Sequence, residues 1–181
     1  MKPLPLVALV FLVGRAAAET APPDRVEYYR GPVEYLSADG KVSYGKSESL
    51  VQRTVSPARA RIIEEVVQPA RKPGQPAQVF VTTLERVGAT TRFSASDAGK
   101  TFSGTLAYTG AGWAWDAWTY DIKLAAGGGL TGQGKLDASG LSTDKVLTDA
   151  AGKPTTLVRE RLARITAAQH AAQHAILLPS K

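Results

Sequence analysis

The chain has no cysteine, only two histidines, and no apolar run long enough to cross a bilayer. Without cysteine there is no disulfide framework, no thiolate zinc site, no cysteine nucleophile and no lipobox residue for a lipid anchor. Gly-x-Ser-x-Gly is also missing, so the many serines have no nucleophile elbow to sit in. Charge of one sign is not concentrated either. The 22 Lys and Arg and 16 Asp and Glu are interspersed over 181 residues, net +6, which gives no reason to expect a nucleic-acid partner.

What is present first is an address. Lys2 precedes eight apolar residues, 6–13, followed by Gly14, Arg15 and three alanines. This is the pattern of a cleavable export signal, and eight residues fall far short of the roughly 20 a membrane-spanning helix needs. Cleavage after Ala18 puts alanine at both −3 and −1, whereas the neighbouring cuts place Arg15 or Glu19 at −3. Residues 1–18 are therefore read as a signal peptide. Removing 18 of 181 residues leaves 163, and losing Lys2 and Arg15 lowers the charge from +6 to +4. The mature protein is expected to be exported, periplasmic or extracellular, with no integral membrane segment after signal cleavage.

Residues 19–25, with Pro22 and Pro23, form a short lead, and a single domain is expected over 26–178. Its clearest segment is 101–108, where Phe102, Gly104, Leu106 and Tyr108 alternate with Thr101, Ser103, Thr105 and Ala107. That period of two marks a half-buried antiparallel strand. Strand-length segments also run over 33–37, 41–55, 78–87, 91–96, 113–124, 129–136, 141–148 and 155–162. The turns at 37–40, 97–100, 137–140 and 149–152 lie between such segments and carry an acidic residue and a glycine, which is hairpin chemistry rather than a calcium loop. Residues 57–68 are ambiguous: Ser56-Pro57 can start a helix, but Ile62, Ile63, Val66 and Val67 are β-branched and favour a strand. The proline-rich stretch 69–76 is too stiff and donor-poor to extend a ladder.

The C-terminus differs in kind. Thr166 with Gln169 forms a capping box, and the alanine-rich run to Leu178, stopped by Pro179, predicts one helix over 166–178. The fold class is thus mainly β: nine or ten antiparallel strands in a meander that closes or curls into a barrel, with one short C-terminal α-helix. An export signal, a strand meander and a terminal helix together resemble the calycin superfamily of lipocalin-like and fatty-acid-binding-like barrels. The lipocalin Gly-x-Trp signature is not met, since in Ala111-Gly112-Trp113 the glycine abuts the tryptophan and lies mid-chain. The resemblance implies a small apolar ligand inside the barrel.

All three tryptophans fall within 110–121. Along this stretch Trp118, Tyr120, Ile122 and Leu124 share one strand face, expected to point inward, while Thr119, Asp121 and Lys123 share the other. Trp113 and Trp115 have the opposite parity, so either a bulge re-aims them into the barrel end or they stand outside as an aromatic platform. Asp116, if inward, would be a buried carboxylate needing a partner such as arginine. The candidate ligand-binding residues are accordingly Trp113, Trp115, Asp116, Trp118 and Tyr120. His170 and His174 share a helix face, but no glutamate lies between them and no third ligand is evident. They are read as solvent-facing, with no metal and no cofactor.

Glu64 and Glu65 point to opposite faces of any strand, and Arg59 with Arg61, and Arg159 with Arg161, are read as covering an exposed sheet. No catalytic residue is indicated. Three readings follow: a non-catalytic barrel holding a small apolar ligand; an envelope interaction or glycan-binding module using the tryptophan-rich strand; and, lowest, an enzyme. Interior volume separates the first two. Phe80, Leu84, Phe102, Leu106, Trp118 and Tyr120 would fill a barrel that Gly104, Gly132 and Gly134 would leave roomier.

Overall fold

The computed structural model describes residues 22–70, 72–87, 90–97, 100–108, 116–123 and 127–179. Ten strands follow in order: β1 (Arg25–Ser37), β2 (Ser43–Ser56), β3 (Arg61–Gln68), β4 (Gln78–Val87), β5 (Thr90–Asp97), β6 (Lys100–Tyr108), β7 (Ala117–Lys123), β8 (Gly129–Asp137), β9 (Gly140–Thr148) and β10 (Pro154–Arg164). One helix, α1 (Ala167–Leu177), ends the chain. Each strand pairs antiparallel with the next, and β1 pairs with β10, so the meander closes into a barrel. The mainly β class with a terminal helix, expected from the sequence, is what the structure has.

Local chemistry explains the joints. Asp39, Asp137 and Asp149 each accept from backbone N–H groups of their own turn, as in Ser139 N to Asp137 Oδ1 at 2.8 Å and Ala151 N to Asp149 Oδ1 at 2.9 Å. The ambiguous 57–68 stretch splits. Pro57–Arg59 forms one 3-10 turn, Ala60 takes a left-handed conformation, and the β-branched run becomes β3. Arg59 therefore belongs to a turn and shares no strand face with Arg61. β1 starts at Arg25, eight residues before the sequence pattern suggested, because its inward positions include Glu27 and hide the apolar alternation.

The apolar core lies inside the ring. Tyr29, Val51, Val55, Ile62, Leu84, Trp118, Ile122, Leu141 and Leu162 form one buried cluster drawn from alternate positions of seven strands. The glycines of the wall are recesses rather than room. A Cβ on Gly134 would lie 2.2 Å from the Trp118 indole, and one on Gly104 would lie 2.7 Å from Ile122 Cγ2. Large side chains already occupy both recesses.

The helix begins as its capping box directs, with Gln169 N donating to Thr166 Oγ1 (3.2 Å) and Thr166 N donating to Gln169 Oε1 (2.9 Å). Ile165 N donates to Tyr28 O at 2.9 Å, and α1 then packs across β1, β2 and β3 from outside. Leu50 and Val67 face each other on the outward parity of β2 and β3, yet both are buried on this helix-covered wall. His170 is consequently not solvent-facing: it is only 6% exposed, with its ring 4.8 Å from that of Tyr28. The physical reason is the apolar outer wall, which draws the helix face carrying His170 onto the barrel. No helix among the described residues is long and apolar enough to cross a membrane.

Candidate functional site

The barrel interior is not uniformly apolar. In β1, β2 and β3 the register places Glu27 opposite Arg53 and Arg53 opposite Glu64, so three charged side chains stand in a row across three strands. Arg53 Nη1 donates to Glu27 Oε2 and its Nε donates to Glu64 Oε1, each at 3.1 Å. The Arg53 side chain is 1% exposed. Burial alone raises the pKa of Glu27, but the guanidiniums of Arg25 and Arg53 outweigh it and hold the carboxyl below its ordinary range. Tyr29 donates its hydroxyl to Glu27 at 3.1 Å and accepts from Arg164 at 3.3 Å.

On β9 and β10, the strands that follow β1 in the ring on its other side, stands a second ion pair. Lys145 Nζ lies 2.7 Å from Glu160 Oε2, which also accepts the Thr143 hydroxyl. Glu160 is buried, which raises its pKa, and the ammonium of Lys145 more than compensates. Both groups face a cavity of about 120 Å³. Arg53, Glu64, Lys145 and Glu160 line it from β2, β3, β9 and β10, each with an aliphatic of its own strand (Val51, Val66, Leu141, Leu162), and Leu84, Phe93, Trp118, Ile122 and Leu130 line the facing wall. A molecule seated there meets hydrocarbon on one flank and paired charges set among aliphatics on the other.

No family model matches the chain, and no curated protein matches it. The site therefore rests on its geometry alone.

Of the residues singled out in the sequence, Trp118 is in this lumen, 4% exposed. Ile122 is buried beside it, while Thr119, Asp121 and Lys123 are exposed, as the alternation requires. Asp116 is exposed ahead of β7, so the buried carboxylate expected on the inward parity is not there; the strand starts only at Ala117. Trp113 and Trp115 lie outside the described residues, as does the side chain of Tyr120. Among the described residues no three His, Cys, Asp or Glu side chains gather as a metal site. Glu64 and Glu65 do point apart: Glu64 reaches Arg53 inside, and Glu65 lies 3.4 Å from His174 Nε2 outside. Arg159 and Arg161 lie on the outer sheet face, both engaging Asp144.

The lumenal charges Glu27, Arg53, Glu64, Lys145 and Glu160 are the candidate functional residues that sequence reasoning missed. Three of them carry a signal, a charge flanked at two residues on either side by aliphatics: Val51-Arg53-Val55, Ile62-Glu64-Val66 and Val158-Glu160-Leu162; Glu27 and Lys145 do not. In a strand that spacing puts the charge on the core face.

Proposed function

We propose that this protein is an exported, non-catalytic barrel whose lumen binds a small amphipathic ligand. The observation that carries the reading is the cavity of about 120 Å³ with one wall apolar and one wall carrying paired charges inside a closed barrel. Its size is comparable to the ~150 Å³ pocket that takes a benzene ring, and below the ~300 Å³ at which ordinary ligand pockets begin. The ligand is therefore short, and the apolar molecule implied by the calycin resemblance narrows to one with a polar end. Export is supported by residues 1–18, and the absence of chemistry by the pairing of Glu27, Glu64 and Glu160 with cations.

A second reading has its own support. The recesses at Gly104 and Gly134 are filled by Ile122 and Trp118, and the interior ions pair with one another. A barrel filled by its own side chains would act from outside, as an interaction or glycan-binding module using the tryptophan-rich 110–121 stretch. Native mass spectrometry of protein purified from its own envelope separates the two. A retained mass on the order of 100 Da supports the lumenal ligand. An empty barrel whose melting temperature no short amphiphile raises supports the outer module.

A further inference from the structure

A closed barrel has no free strand edge, yet this one carries a short one. β1 and β2 pair from Arg25 opposite Val55 to Leu36 opposite Ser43, with a bulge that leaves Tyr44 as the extra residue between Gly45 and Ser43. β3 joins β2 only between Leu50 opposite Val67 and Ser56 opposite Arg61. Beyond that point Gln68 donates its Nε2 to Ser49 Oγ at 2.9 Å, and Pro69, with no N–H, ends the strand. Residues 43–48 of β2 therefore bond to β1 on one side and, among the described residues, to no strand on the other. Tyr44 is 61% exposed, and a Cβ on Gly45 would meet nothing within 4 Å. Alongside runs a cleft of about 710 Å³ bordered by Tyr35, Gln68, Pro69, Ala70 and Thr156.

We propose that this edge accepts an extended peptide from a partner protein as an added strand. Unpaired backbone N–H and C=O groups in a row are matched by the backbone of another strand, and Gly45 lets that backbone come close. Six residues at about 3.4 Å each give roughly 20 Å of ladder. Charge complementarity specifies the guest. The outward side chains of the edge are Tyr44, Lys46 and Glu48, so an antiparallel guest presents a basic residue, then an acid, then an aromatic, at alternate positions. β1 already satisfies the same order from the other side, with Arg30 on Glu48 and Glu34 on Lys46. A second copy of the chain is a poorer guest. In the two-fold registers that span five edge residues, Lys46 meets either Lys46 or Tyr44, and the register about Ser47 that sets Lys46 against Glu48 spans only three.

The test uses the mature chain and a fluorescent peptide of about seven residues with Lys, Glu and Tyr alternating with Thr. Saturable binding is expected below about 1 mM. Amide exchange within 44–48 should slow on binding. N-methylating the peptide along its ladder-forming edge should weaken binding at least tenfold, as should Ala70→Trp, which fills the cleft. Absence of saturable binding, equal affinity of the N-methylated peptide, or protection elsewhere on the barrel would each overturn the proposal. Concentration-dependent dimerisation protecting the same amides would overturn the choice of guest in favour of a second copy.

Discussion

The guanidinium of Arg53 lies over the indole of Trp118, its carbon 5.8 Å from the ring centroid. This contact joins the two halves of the lumen, because Arg53 centres the charged row and Trp118 belongs to the apolar cluster. Arg53→Ala should leave the buried Glu27 and the half-buried Glu64 without their shared cation, with Arg25 still on Glu27. The expected loss is roughly 3–5 kcal/mol by urea denaturation. Replacing all three with aliphatics should recover most of it. A loss below about 1 kcal/mol for Arg53→Ala would mean the row is hydrated and loosely held.

Trp118→Ala should cost about 3–5 kcal/mol, because the side chain is buried and its recess at Gly134 cannot collapse. Gly134→Ala tests the same contact from the opposite side. Its methyl would overlap the indole, at an expected cost of about 1–3 kcal/mol. Thr119→Ala, on the exposed face, should change stability by less than about 0.5 kcal/mol. Denaturation curves for these three variants, read with indole fluorescence, decide whether β7 faces as described.

Stability should fall on acidification in two stages. His170 has its pKa lowered from 6.5, first by burial and then by the charge of His174, with Glu65 partly opposing. A depressed histidine contributes stability that is complete above its unfolded pKa and is lost as pH falls below about 6.5. Glu27 and Glu160, held below their ordinary 4.5, contribute stability that is lost as pH falls further. His170→Phe keeps a ring against Tyr28 and should remove only the first stage. Melting temperatures followed from about pH 7.5 to 3.5 report both. An unchanged upper stage in the variant would assign it to another group.

On the proposed export, the mature chain should begin at Glu19, as the alanines at 16 and 18 direct. Intact-mass measurement of protein recovered outside the cytoplasm reads this directly. A species retaining residues 1–18 would show the leader to be kept.

Legibility in the sequence followed the strength of the local pattern. The hairpin turns, the capping box of α1 and the alternation around Trp118 were readable because each needs only neighbouring residues. The first part of β1, residues 25–32, was not, since Glu27 breaks its apolar pattern and its counter-charge, Arg53, is brought opposite only by pairing with β2. His170 was misjudged for a related reason. An alanine-rich helix shows little of which face is covered until Leu50 and Val67, far away in the chain, are known to form an outer apolar wall. The lumenal charges lay between these cases: Arg53, Glu64 and Glu160 each sit between two aliphatics at strand spacing, but their mutual pairing with Glu27 and Lys145 depends on register.

Closing β1 against β10 fixes when the protein can fold. The Arg164 guanidinium donates to the Tyr29 hydroxyl across a separation of 135 positions, so the first strand must wait for the last before the ring is complete. Non-local pairing of this kind is slow, with loop-closure entropy lost before its contacts form, and such sheets fold on a millisecond-to-second scale. Until β10 arrives, β1 and β9 both present bare edges to other chains. A chain truncated before Pro154 should therefore aggregate rather than settle into a smaller barrel, and a full-length chain emerging N-terminus first stays unclosed until its final strand is free.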